Sequence, residues 1–144
     1  HSGWDRAEGE DEMVPQAAAA IYEQAGVGAD DIDCVELHDA SAISEIKYYE
    51  YLGLCGDGEG GDFVARGDST LGGKVPVNTS GGLMRKGHPI GATGAAQIVE
   101  LVTQLRGEAG DRQVEGARHA LAENGGGYIG SDAAALVLSV LSKE

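Results

Sequence analysis

The segment from Gly87 to Gly94 reads Gly-His-Pro-Ile-Gly-Ala-Thr-Gly and places a histidine among glycines near the predicted start of a helix. Glycines let backbone N–H groups approach a ligand closely, and a helix N-terminus favours negative charge. A histidine in such a place is able to stabilise an oxyanion or to move a proton. Composition alone favours the plainer interpretation, which is a tight turn with a buried, hydrogen-bonded His88.

A phosphate-binding loop does not fit the same segment. Gly82 and Gly87 have the four-residue gap of a P-loop, but His88 and Pro89 stand where lysine and Ser or Thr are required. A dinucleotide-binding fingerprint is also absent after the strand predicted over 32–37. Nucleotide hydrolysis is therefore a poor hypothesis.

Helix and strand patterns place this segment in a layered α/β domain. The sequence predicts helices over 15–25, 41–52 and 90–106, an extended piece over 75–77, and strands over 32–37, 117–122 and 133–141. Residues 54–74 are predicted to form a long loop of the kind that is usually functional. The last two strands are predicted to form a hairpin, so the order of elements indicates a mixed β-sheet packed with helices.

Two of the predicted helices have an apolar face. Ser41 is a suitable N-cap for the helix over 41–52, and apolar residues recur along one side of it at Ile43, Ile46, Tyr49 and Leu52. The helix over 90–106 is expected to bury Ile98, Leu101, Val102 and Leu105.

Charge and length exclude several classes of protein. The chain has 144 residues, enough for one domain, and a formal net charge of −14, which argues against a nucleic-acid partner. Residues 1–14 are acidic and are predicted to be an exposed lead-in to a domain over 15–144. Residues 78–119 hold four acidic and five basic residues and form the one region that is not net acidic.

Hydropathy and cysteine usage point to a cytoplasmic protein without a metal site. No apolar run approaches the roughly 20 residues of a membrane span, and the first residues lack the parts of a signal peptide. The two cysteines, Cys34 and Cys55, form no CxxC motif, so neither a disulfide framework nor a structural zinc site is predicted.

Several motifs, taken together, resemble one known family. Asn-Thr-Ser-Gly-Gly at 78–82, followed by the 87–94 segment, is similar to the C-terminal half of the thiolases. The segments 36–39, 49–55 and 105–114 resemble more narrowly the sterol-carrier-protein type, which includes bacterial lipid-transfer protein paralogues. The resemblance covers about 15–142 and implies the C-terminal member of the thiolase pair of α/β domains.

The resemblance gives roles to two histidines. In thiolases the Gly-His-Pro histidine, here His88, activates the nucleophilic cysteine and helps to form an oxyanion hole. The histidine of the sterol-carrier motif His-Asp-Cys-Phe contributes to the same hole and corresponds to His38, so the two side chains are expected in one site. Asp39 is expected to cap a helix or form a turn. Three glycines are expected to belong to the loops around the oxyanion and the coenzyme A thioester, namely Gly87, Gly91 and Gly126.

Departures from the thiolase pattern change the expected reaction. The thiolase nucleophile belongs to the N-terminal half, which this chain lacks, and Ala40 replaces the cysteine of His-Asp-Cys-Phe. In other thiolases a second cysteine precedes the last glycine loop, where this chain has Glu123 and Asn124. Tyr128 is a candidate general acid or base, because some lipid-transfer-type members that cleave steroid side chains by a retro-aldol reaction use tyrosines instead of cysteines. An aromatic plug at the hairpin tip is the equal alternative for Tyr128.

The resemblance thus implies part of an enzyme that makes or breaks a carbon–carbon bond in an acyl-CoA thioester, in lipid or steroid side-chain metabolism. A retro-aldolase-like or altered thiolase activity ranks above the standard sterol-carrier-type acyltransferase, and a non-catalytic assembly subunit is the alternative from another class. Coenzyme A thioester is expected as substrate, with no covalently bound cofactor. Expected partners are the N-terminal thiolase half and a small OB-fold protein, with the complete protein forming an oligomer and this fragment alone inactive.

Overall fold

A computed structural model describes residues 13–129 and 132–144. Its helices are α1 (Met13–Ala25), α2 (Ala42–Tyr51), α3 (Gly60–Ala65), α4 (Gly82–Lys86) and α5 (Thr93–Arg106), and its strands are β1 (Cys34–Glu36), β2 (His119–Ile129) and β3 (Asp132–Ser142). Single turns of 3-10 helix lie at Ala29–Asp31 and Gly110–Arg112. None of the described helices is long and apolar enough to cross a lipid bilayer. Nearly all of the acidic lead-in predicted over 1–14 lies outside the described residues.

The sheet is mixed, as the sequence predicts. Its strand order is β1-β2-β3, with β1 parallel to β2 and β2 antiparallel to β3. The predicted extended piece over 75–77 touches the sheet at one point, where Val77 makes an isolated parallel bridge to Val35. The hairpin strands extend further than predicted, so the glycines at 125–127 are part of β2 instead of a loop. The predicted α/β class is confirmed.

Two hydrophobic cores lie on opposite faces of this sheet. Side chains alternate between the faces of a strand, so Val35 and Leu121 enter one core while Cys34 and Ala120 enter the other. The first core, core A, is closed by residues of α1, α2 and α3, and the second, core B, by Leu101 and Leu105 of α5. Both faces of β1 are covered, and all three of its residues are buried.

Helix α5 differs from its prediction in where it begins and in what it buries. Residues 90–92 form a turn instead of helix, because the Pro89 carbonyl accepts the N–H groups of Ala92 and Thr93 before the regular helix starts. Leu101 and Leu105 are buried as expected, whereas Ile98 and Val102 are only half-buried. The other buried residues of α5 include three long polar ones that bond to nearby loops, Gln97, Glu100 and Gln104.

The predicted apolar face of α2 is partly wrong. The Ser41 hydroxyl accepts the Ser44 N–H as the expected cap, and Tyr49 is buried in core A. Ile43, however, is 77% exposed. The cause is that α3 meets α2 only at its later turns, where the Gly60 N–H donates to the Glu50 carboxylate at 3.0 Å.

The glycine-rich segment over 54–74 is not one open loop, because part of it packs into core A. It contains α3, and the ring of Phe63 is fully buried with its centroid 5.2 Å from that of Tyr49. At Gly73 a Cβ would lie 2.2 Å from the Gly67 carbonyl oxygen, so the chain folds back on itself more closely than any side chain allows. Part of this segment therefore closes one side of core A.

We expect Phe63→Ala to lower the free energy of unfolding by about 3–5 kcal/mol, because it removes a fully buried ring and leaves a cavity against Tyr49. The measurement is urea unfolding followed by circular dichroism. The matched control is Val64→Ala at the next position, where the side chain is 43% exposed and the loss should be below about 1 kcal/mol. Equal losses in the two variants would contradict a structural role for this segment.

Candidate active site

The two histidines singled out in the sequence lie against each other. His38 follows β1, His88 lies in the turn between α4 and α5, and their ring centroids are 4.7 Å apart with the rings perpendicular. His38 is half-buried, whereas His88 is exposed, so the interpretation of His88 as a buried turn residue is wrong. The pair forms an imidazole cluster that solvent can reach, and the catalytic roles of both residues stay predictions.

Asp39 joins the loop of one histidine to the helix that precedes the other. Its buried carboxylate accepts the Leu83 N–H at 2.6 Å and the Met84 N–H at 3.3 Å, at the start of α4. Gly82 makes this approach possible, because its φ is 63° and a Cβ there would lie 2.1 Å from the Asp39 carboxylate. The helix-cap role expected for Asp39 is confirmed, although the helix is one that the sequence did not predict.

A second buried carboxylate holds the segment between Asn78 and α4. Glu36 accepts the Ser80 N–H at 3.0 Å and the Ser80 hydroxyl at 2.6 Å. Lys86 donates to the same hydroxyl and has its Nζ 3.8 Å from the Glu36 carboxylate. Burial raises the pKa of Glu36, while the Ser80 bonds and the Lys86 charge act in the opposite direction. Lys86 is therefore bonded within the protein. Arg85, the other basic residue just before the His88 turn, is exposed and has no ion pair among the described residues.

The orientation of His88 is set by Thr93 at the start of α5. His88 Nδ1 lies 2.7 Å from the Thr93 hydroxyl oxygen, and that hydroxyl donates to the Pro89 carbonyl at 3.3 Å. The hydroxyl has one proton; where that proton is directed to Pro89, the oxygen accepts from Nδ1–H and Nε2 carries the lone pair. In that tautomer Nε2 of His88 is able to accept a proton.

His38 is suited to the opposite task. Burial lowers the pKa of His38, nearby His88 lowers it further, and Asp39 acts against both. A lowered pKa keeps the imidazole neutral at neutral pH, so it can donate one N–H to a developing negative charge. Its buried Nδ1 has no hydrogen-bond partner among the described residues, while its backbone N–H donates to the Glu123 carboxylate at 2.9 Å.

Glu123 and Asn124, at the position where the resemblance led us to look for a second cysteine, connect the His38 loop to α5. Burial raises the pKa of Glu123 to about 7, and its Oε1 has no partner among the described residues. Its backbone carbonyl accepts from the Gln97 amide at 2.8 Å, and the Asn124 amide donates back to Gln97 at 2.9 Å. The end of the sheet is therefore bonded both to the His38 loop and to the first turns of α5.

Two cavities are lined by residues that neighbour His88 in the chain. A small one of about 90 Å³ is lined by Gly87, Pro89 and Thr93, among others. A groove of about 390 Å³ is lined by Gly91 and Asn124, and by the apolar residues Ile90, Ile98 and Val137. The predicted Gly87 and Gly91 thus line separate cavities.

The remaining predicted site residues lie in the hairpin. Gly126 is exposed in β2 opposite Ala135, away from the turn in which its role was expected. The backbone of Tyr128 pairs with Ala133, but its side chain lies outside what the structure describes. Thr93 and Ser80 were not predicted to be site residues. Their signals in the sequence are a hydroxyl five residues after the histidine and a hydroxyl inside the Asn-Thr-Ser-Gly-Gly motif.

The comparisons with known proteins agree with this fold. The family model described as thiolase C-terminal domain-like matches residues 5–140, and the chain belongs to that family. Within it, the chain is related to sterol carrier and lipid-transfer proteins, being 56% identical over 113 residues to sterol carrier protein 2 of Rattus norvegicus. It is also 49% identical over 105 residues to the benzoylsuccinyl-CoA thiolase subunit BbsB of Thauera aromatica.

A solved structure, the Ltp2-ChsH2(DUF35) aldolase, is similar with a TM-score of 0.70 and 29% sequence identity over 76% of this chain. The matches cover 78% of this chain but 21% of the rat protein, and 73% of this chain but 27% of the Thauera subunit. For the aldolase structure the share is 28% of that chain. The chain therefore spans less than a third of the length of each of these relatives.

We expect Thr93→Val to change the tautomer of His88, because the variant removes the oxygen that accepts Nδ1–H. Long-range nitrogen–proton NMR spectra of the imidazoles, recorded at pH 9, should show the Nδ1-protonated form of His88 decline relative to the wild type. Thr93→Ser keeps the hydroxyl and is the control that should leave the spectrum unchanged. An unaltered His88 tautomer in Thr93→Val would show that Thr93 does not select it.

Proposed function

We propose that this chain is the C-terminal domain of an enzyme that makes or breaks the carbon–carbon bond next to an acyl-CoA thioester, with retro-aldol cleavage or altered thiolase chemistry favoured over standard thiolysis. The observation that carries the proposal is the His38–His88 pair at 4.7 Å, in which one imidazole is kept neutral by burial and the other is oriented by Thr93. The names of the relatives, which include a thiolase subunit and an aldolase, support the same reaction class.

In the proposed retro-aldol reaction, a base removes the proton of the β-hydroxyl group and the oxygen lone pair forms the new carbonyl. The carbon–carbon bond breaks, its electrons form the enolate of the shortened acyl-CoA thioester, and that enolate is then protonated at carbon. His88 Nε2 is suited to hold the moving proton, and His38 to donate to the enolate oxygen. Tyr128 is the second proposed proton carrier, by the resemblance alone.

The cysteines of this chain favour the aldol form over thiolysis. A Claisen step of the thiolase kind needs a thiol that can lose its proton near the acyl group. Cys34 is fully buried in core B, and burial raises the pKa of its thiol to about 12. Cys55 packs against core A, on the other face of the sheet from α5, and burial raises the pKa of its thiol as well. Neither thiol is suited to that step.

The surface around His88 supports the proposal that a second protein unit covers it. All residues over 84–92 are exposed, including Ile90 at 87%. Val137, which lines the neighbouring groove together with Ile90, is exposed as well. Contiguous exposed apolar groups commonly mark an interface. The proposed occupant is the N-terminal thiolase half, with the acyl-CoA between the halves. The two-component name of the similar aldolase supports a partner protein. By the resemblance alone, that partner is proposed to be a small OB-fold protein and the complete protein an oligomer.

The reaction is tested by giving the complete protein, with any partner, two substrates in separate assays. One is a β-hydroxyacyl-CoA, and the other is a β-ketoacyl-CoA together with coenzyme A. We expect the first to be cleaved to a carbonyl compound and a shortened acyl-CoA, detected by liquid chromatography and mass spectrometry. Turnover of only the second substrate would establish standard thiolysis and overturn the aldol form.

The role of His88 is tested by His88→Ala in the same reconstituted protein. We expect kcat/KM to fall by about 100-fold or more, because a proton carrier at the reacting atoms is lost. Arg106→Ala is the control, since Arg106 is an exposed residue in the last turn of α5, outside the 84–92 surface, and should leave kcat/KM within about threefold. Unchanged activity in His88→Ala would instead support the non-catalytic assembly subunit.

A further inference from the structure

Glu123 is a buried acid that the proposed reaction does not use. Its side chain is 0% exposed and lies on β2, one residue beyond the stretch that pairs with β1. There its carboxylate Oε2 accepts the backbone N–H of His38 at 2.9 Å. This bond fixes the main chain of a residue whose ring belongs to the imidazole cluster.

The surroundings of the carboxyl group leave one of its oxygens without a partner. Oε1 is buried and unpartnered among the described residues. At Gly125 a Cβ would lie 3.3 Å from this oxygen and 3.5 Å from the Tyr48 hydroxyl, so the absence of a side chain there leaves room for the acid. A single hydrogen bond from an N–H group is a small compensation for a fully buried negative charge.

No cation is among the described contacts of this carboxyl. Those contacts bring two titratable residues to it, His38 after β1 through its backbone N–H and Tyr48 on α2 through the space left at Gly125, and neither is a cation that would hold the acid ionised. Helix α5 presents the neutral amide of Gln97, and β3 presents Leu138 in register with Glu123. The uncharged acid is thus the form that the packing favours, and burial raises its pKa to about 7.

We propose that Glu123 is a positioning residue of this site, which in its uncharged form holds the His38 main chain through Oε2 and so keeps the His38 imidazole directed at the reacting oxygen. The proposal rests on the proposed function. Ionisation of Glu123 places a buried negative charge under a site that must stabilise an oxyanion, so activity declines as pH rises through the ionisation of this acid.

The first test is independent of turnover. The complete protein is labelled with nitrogen-15 histidine, and the amide signal of His38 is followed from pH 5 to pH 9. We expect a transition near neutrality in the wild type that is absent from Glu123→Gln, whereas any response of this amide to the two imidazoles is common to both proteins. The His119 amide is the internal control, because it donates to the Asp33 carboxylate at 2.9 Å in the same way and should titrate identically in both proteins. A constant His38 signal in the wild type, or the same titration in the variant, overturns the proposal.

The second test uses the pH profile of kcat/KM. Glu123→Gln keeps an acceptor for the His38 N–H but cannot ionise, so we expect activity within about threefold of wild type at pH 6 and a higher variant to wild-type ratio at pH 8.5. Glu123→Ala leaves that N–H unpaired, and we expect about a tenfold loss throughout the range. Parallel profiles for wild type and Glu123→Gln overturn the positioning role. Absence of turnover in the wild type counts against the proposed function, whereas the His38 amide titration still decides the role of Glu123.

Discussion

The bond between the Asp39 carboxylate and the first N–H groups of α4 is the interaction on which the site depends. It joins the loop after β1 to the helix that leads into the His88 turn, two segments separated by more than forty residues of chain. A helix of one turn is unstable by itself, so α4 owes its position to this cap and to the Lys86 contacts at its other end. Without that bond, the two imidazoles would have no fixed separation.

Buried carboxylates serve as anchors throughout this region. Glu36, Asp39 and Glu123 are all nearly inaccessible to solvent, and each accepts a backbone N–H from a different loop. An acid that receives such hydrogen bonds replaces the hydration it lost on burial, at least in part. The carboxylates thus position the backbone, and the imidazoles remain available for a ligand. The strongly acidic composition thus includes interior groups with a structural task, in addition to solvated surface charge.

The sequence was sufficient for the class of fold and for the meeting of His38 with His88, because strand and helix periodicity and a specific motif carry that information. It was insufficient where tertiary contacts outweigh local preference. The presence of Phe63 did not predict that the glycine-rich segment enters the core, since isolated aromatic residues are common in loops. The polar face of α5 was missed because hydropathy assigns Gln97 and Gln104 to solvent, whereas their amides satisfy buried backbone groups on β2 and after α5.

The polar stripe on α5 also bears on how the domain moves. Gln97, Glu100 and Gln104 bond to β2, to Thr79 and to Arg112, so a rotation of the helix about its axis would break contacts with three separate segments at once. These bonds hold helix α5 in one orientation on the sheet. Thr93, in the first turn of α5, thus gives the Nδ1 atom of His88 a fixed hydrogen-bond partner. Adjustment to a bound ligand is therefore expected in the exposed residues 87–92, between the anchored Lys86 and Thr93.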